Sequence, residues 1–138
     1  VNDPTTAVQC IHRIEDVLRY AAAKELLTGV VTDRNGSVRV LIPTPTWEDL
    51  VDLALDEIRA FGSGQYQIAR RVRALLDDLI ADLAAERRPA LERQLALLDD
   101  AVHRSFTPEQ RPSALVADRQ GLGLSIDNDR GGPASPTG

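Results

Sequence analysis

Along four stretches of this chain apolar residues return at intervals of three and four, and each stretch stops at a glycine or a proline. That spacing puts them on one side of an α-helix, so the chain must fold by packing amphipathic helices together. The first stripe is Val8, Ile11, Ile14, Leu18 and Ala22. Asp3-Pro4 opens it, an N-cap followed by proline at the first helical position, and the helix is expected to end near Leu27, before Gly29. The second opens at Thr46-Trp47-Glu48-Asp49, a capping residue with an acid three positions on. Its stripe is Leu50, Ala54, Ile58 and Phe61, with Val51 and Leu55 beside it, and Gly62 and Gly64 break it. The third runs from about Gln65 to Ala85 on Ile68, Val72, Leu75, Leu76, Leu79 and Leu83. The fourth follows Pro89 and runs to about Ser105 on Leu91, Leu95, Leu98 and Val102.

Between the first two helices the period changes. Val30-Val31-Thr32 and Val38-Arg39-Val40-Leu41-Ile42 are β-prone runs around Asp33-Arg34-Asn35-Gly36, and Asn-Gly supplies the positive φ of a tight hairpin. Pro43 and Pro45 end the second strand. Such a hairpin is marginal alone in water, so it is expected to lie against the helices or be completed by another chain. After Pro112 the pattern fades into Gly, Pro, Ser and Asp, a composition that does not offset its own ordering entropy. The expected fold is mainly α, an α+β bundle of about four amphipathic helices with one β-hairpin, spanning 1–112, and a mostly flexible C-terminal tail over 113–138. The 138 residues suit one domain, and with only 4% aromatic residues the core must be aliphatic.

Charge and composition exclude some functions. A formal charge of −5 argues against nucleic acid, which needs a basic face. No run of eighteen apolar residues is present to span a bilayer. The sole cysteine, Cys10, allows no internal disulfide, leans toward a reducing compartment and is expected as a buried structural thiol. The start at Val1 reads as a cut from something longer or as a processed product.

No catalytic motif stands out: no Gly-x-Ser-x-Gly elbow, no His-Glu-x-x-His, no cysteine cluster. Gly121-Leu122-Gly123 follows no strand and opens no helix, so it is not a phosphate loop. His12 and Asp16 lie four apart on one helix face and are the sole metal candidates, with a local polar pair as the plainer reading. His103 sits near a helix C-terminus, where the dipole favours it. Glu48, Asp49, Asp52, Asp56 and Glu57 form an acidic band read as a solvated face. Arg70, Arg71 and Arg73, with Arg87 and Arg88, are the basic counterparts, able to pair with that band, face a partner or meet acidic lipid headgroups. Asn2 and Asp3 either cap the first helix or belong to a polar junction with a membrane segment. No cofactor is implied.

A resemblance adds context. Val1-Asn2-Asp3-Pro4-Thr5-Thr6-Ala7-Val8-Gln9 resembles a stretch in a family of bacterial predicted membrane proteins catalogued as domain of unknown function twenty-two fifty-four, where a Leu-Ser-Pro-Gly-like segment usually precedes it. Ile14 to Leu18, Val38-Arg39-Val40, Pro43 to Asp49, Leu53 to Arg59, Arg88 to Leu91 and Asp118 to Gly123 are similar in order, so the resemblance covers about residues 1–123. It implies the soluble C-terminal part of a protein whose N-terminal helices cross the bacterial inner membrane; the cytoplasmic side is expected for this domain from its single unpaired cysteine, Cys10. The resulting expectation is a non-enzymatic interaction or regulatory domain, a homo-oligomer or a partner of the parent's transmembrane segment, with a membrane surface nearby. The alternatives are a small metal-dependent or ligand-binding module, and a truncated product without function.

Overall fold

The structure, a computed structural model, describes residues 4–26 and 29–119. In chain order its elements are α1 (Pro4–Ala22), β1 (Val30–Thr32), β2 (Val38–Leu41), α2 (Trp47–Gly62), α3 (Tyr66–Asp82), a single 3-10 turn (Ala85–Arg87), α4 (Arg88–Ser105) and α5 (Arg111–Ala114). The fold is thus the expected helical bundle with one antiparallel hairpin, plus a short fifth helix.

The bundle is built around α3. It is covered on most sides, and Ile68, Ala69, Val72, Ala74, Leu75, Leu76 and Leu79 are all buried. It packs against α1, α2, α4 and α5. Ile11 and Leu18 of α1, Val51 and Leu55 of α2, and Leu91, Leu98 and Val102 of α4 complete an aliphatic core. Tyr66 and Phe106 close one end with ring centroids 4.5 Å apart. Gly62 is needed where α2 turns into α3, because a Cβ there would lie 2.3 Å from Cγ2 of Ile68.

Local signals in the sequence formed as read. Thr46 caps α2: its hydroxyl accepts from the Asp49 N–H at 3.2 Å, and the Asp49 carboxylate accepts from the Thr46 N–H at 2.9 Å. In the hairpin Gly36 takes φ +79°, and its N–H donates to the Asp33 carbonyl at 3.0 Å.

Where one part of the chain had to choose among neighbours, the outcome differs. α1 stops at Ala22, where its apolar stripe ends, and Leu27 lies outside the described residues. The buried row of α2 is Trp47, Val51 and Leu55, not the stripe through Phe61, which is 84% exposed. Only one row can face α3, and the row headed by the indole wins: the Trp47 ring N–H donates to the Arg87 carbonyl at 2.9 Å. Cys10 is exposed, because it sits a hundred degrees round the helix from Ile11. The hairpin does not lie against the bundle, and every strand residue is exposed. Residues 113–119, expected in the tail, stay on the bundle: Ala114 is buried, the Asp118 N–H donates to the Arg70 carbonyl at 3.2 Å, and Arg119 pairs with Asp78 at 2.8 Å. The rest of the expected tail, 120–138, lies outside the described residues.

Leu75→Ala should therefore cost about 2–5 kcal/mol in urea denaturation, and Thr46→Ala about 1 kcal/mol. Phe61→Ser should fall within about 0.5 kcal/mol, as a surface change does. A Phe61→Ser loss comparable to that of Leu75→Ala would refute the rotation of α2.

Candidate functional site

Most charged side chains named from the sequence are used inside the domain. Arg71 sits on the buried helix α3 and is 3% exposed. A guanidinium cannot shed its charge, so it must be paired there. Glu15 of α1 accepts from it, and its Nη2 also donates to Nδ1 of His12 at 2.8 Å. Because a guanidinium only donates, Nδ1 is the accepting nitrogen and the ring proton sits on Nε2. Glu15 then accepts from Arg19 at 3.0 Å, and Arg19 reaches Asp82 at 2.7 Å. This chain of contacts ties α1 to α3. His12 faces Arg71, while Asp16 is exposed and lies 3.8 Å from Arg13. Among the described residues no three His, Cys, Asp or Glu side chains are grouped to hold a metal ion.

In the acidic band of α2, Glu48, Asp49, Asp56 and Glu57 are exposed, as a solvated face is, and half-buried Asp52 joins Asp56 in contacts with α4. The amide of buried Gln94 on α4 donates to Asp52 at 2.8 Å and to Asp56 at 2.9 Å. Arg93 reaches Asp52 at 2.7 Å, and Arg59 reaches Asp56 at 3.0 Å. The basic positions meet other partners: Arg73 pairs with Asp99 of α4, and Arg70 donates to the Ser113 carbonyl. Arg87 lies over the Trp47 ring, 5.3 Å from its centroid, and Arg88 donates to the Leu83 carbonyl at 3.1 Å. His103 bonds the Asp99 carbonyl in the last turns of α4 at 2.7 Å. Asn2 and Asp3 lie outside the described residues.

The domain also leaves apolar residues at its surface. Between α1 and α2 runs a groove of about 270 Å³ lined by Ile14, Val17, Leu18 and Ala21 on one side and Leu50, Leu53 and Ala54 on the other, with Arg13 at its edge. On α1 the spacing is three, one and three, and on α2 it is three and one, so each wall is a helical ridge. Leu53 and Val17 stand out of it, 81% and 64% exposed, with Tyr20 and Phe61 also exposed. Sequence reasoning missed this surface. Its signal was the extra width of the apolar stripes, with Val17 and Leu53 falling outside the rows needed for one core.

The charged contacts make the stability testable. Breaking a buried pair leaves one charge uncompensated, so Glu15→Gln should cost about 3 kcal/mol in urea denaturation. The double variant Arg71→Met with Glu15→Gln should lose less than the sum of the singles; simple additivity would show that the pair does not interact. Hydrogen bonds from Gln94, then Arg59, hold the Asp56 carboxyl below the ordinary carboxylate range. Those from Thr46 do the same for Asp49, and the Ser37 and Asn35 N–H groups for Asp33. These groups bind protons less readily folded than unfolded, so their contribution is complete above the ordinary range and is lost as pH falls through the lower folded values. The urea midpoint should be level above about pH 5 and drop below about pH 4, and a midpoint unchanged to pH 3 would contradict this assignment.

Residues 1–78 match the family described as predicted membrane protein (DUF2254). Uncharacterized proteins of Mycobacterium bovis and of two strains of Mycobacterium tuberculosis are each 29% identical over 110 residues, which is 79% of this chain and 21% of theirs. The chain thus spans about a fifth of the length of these relatives. No solved structure matches it. Among the described residues no helix is long and apolar enough to cross a membrane. With a family match over more than half of its length, the chain belongs to the DUF2254 family of predicted membrane proteins.

Proposed function

We propose that this chain is an extramembrane assembly domain of a bacterial membrane protein, acting by binding rather than by catalysis. The observation that carries the reading is the open apolar groove between α1 and α2. Many of the charged side chains are spent on internal pairs, while Val17 and Leu53 at the groove, and Tyr20 and Phe61 elsewhere on α1 and α2, remain exposed. A patch of that kind marks an interaction surface.

The occupant is the same surface of a second copy. Projecting side chains (Val17, Leu53) and the cleft that would receive them lie on one face, which is the self-complementarity a two-fold contact requires. Two such helix pairs can interlock by seating ridges in grooves. The exposed, unpaired thiol of Cys10 supports a cytoplasmic position for the domain, because a reducing compartment keeps such a thiol free.

Light scattering coupled to size exclusion tests the assembly. The chain should form a dimer that populates with concentration, and Leu53→Glu or Val17→Glu should return it to a monomer with an unchanged far-ultraviolet circular dichroism spectrum. A monomer at every concentration, or a dimer indifferent to both changes, would overturn the reading. For the membrane side, a membrane-impermeant maleimide should label Cys10 only after cells are lysed; labelling of intact cells would place the domain outside.

A further inference from the structure

The core makes no use of the hairpin. Val30 and Val31 of β1, Val38, Val40 and Leu41 of β2, and Ile42 beyond it are 43–73% exposed. Successive strand residues point to opposite faces, so neighbours such as Val30 and Val31, or Val40 and Leu41, make both faces apolar. A hairpin that rests on a protein surface needs only one apolar face. A hairpin apolar on both faces suits surroundings that enclose it.

Its tip is closed from within. The Asp33 carboxylate accepts from the Asn35 and Ser37 N–H groups at 2.9 and 3.0 Å and pairs with Arg39 at 2.7 Å. The Asp33 N–H donates to the Ser37 carbonyl at 3.0 Å. Polar groups satisfied in this way cost less to bring into a poorly hydrated layer. Arg34, at the turn, makes no ion pair among the described residues. Residues 29–42 carry two arginines against one aspartate, the opposite sign to a chain of formal charge −5.

We infer that the hairpin seats the domain on an anionic lipid surface, with Arg34 among the phosphates and the flanking aliphatic side chains at the acyl boundary. Two-faced apolarity, a self-satisfied turn and a local positive charge are together what interfacial insertion asks of a short segment. The inference rests on the reading of this chain as an extramembrane domain beside a bilayer.

Flotation of the full 138-residue chain with lipid vesicles tests it. The chain should float with phosphatidylcholine vesicles containing a third phosphatidylglycerol and not with phosphatidylcholine alone. Arg34→Gln should lower partitioning about fivefold, and Val40→Ser with Leu41→Ser on the order of tenfold or more. Neither change touches the core, so circular dichroism should stay the same. No flotation with any vesicle, or undiminished flotation of the Val40→Ser, Leu41→Ser variant, would overturn the inference. So would a wild type that ignores vesicles but forms a dimer lost in that variant, which would assign the hairpin to a protein partner. Leu53→Glu should still float, so failure of the groove reading shows separately.

Discussion

A guanidinium inside a helical core must find a carboxylate, and α3 brings Arg71 into that position because nearly its whole circumference is covered. Among the described residues α1 offers the partner. Glu15 and His12 reach Arg71 from one turn of that helix, and this fixes how α1 is rotated about its own axis. With that rotation Val8, Ile11 and Leu18 point inward and Val17 and Tyr20 point out. The buried charge thus does more than find a partner: the outward edge of α1 follows from it.

A second polar junction decides the other wall of the groove. Gln94 sits in the contact between α2 and α4 and binds Asp52 and Asp56 together, so α2 turns those carboxylates toward α4. The side of α2 away from α4 then carries Leu50, Leu53 and Ala54. Two polar junctions, one on each flank of the bundle, leave the seam between α1 and α2 as the place where apolar surface stays open. Family membership gives that opening a setting, in proteins of which this chain spans about a fifth.

How much of this the sequence disclosed follows from the range of the interactions involved. The Thr46–Asp49 capping box and the Asp33–Gly36 turn involve residues at most four apart, and both were legible. The stripes of α1, α3 and α4 were legible because each helix has one dominant apolar row. α2 has two, and what selects between them is the fit of the Trp47 indole under Arg87, forty residues away. The partners of Arg70, Arg71 and Arg73 lie on other helices, so their positions showed charge without showing direction. The groove stayed hidden for the same reason, since it exists only once α1 and α2 are side by side. The hairpin was legible as a hairpin but not as one that stands clear, because nothing in its own residues says whether a helix will cover them.

The indole of Trp47 has one more consequence. It is the chain's single tryptophan, it is almost wholly buried, and only Pro43 to Thr46 separate it from the hairpin's last described aliphatic residue, Ile42. The hairpin is therefore joined to the start of α2 by a tether of four residues, two of them prolines that resist bending. A natural fluorophore stands where that tether meets the core, so its emission reports whether an event at the strands is passed inward or absorbed on the way.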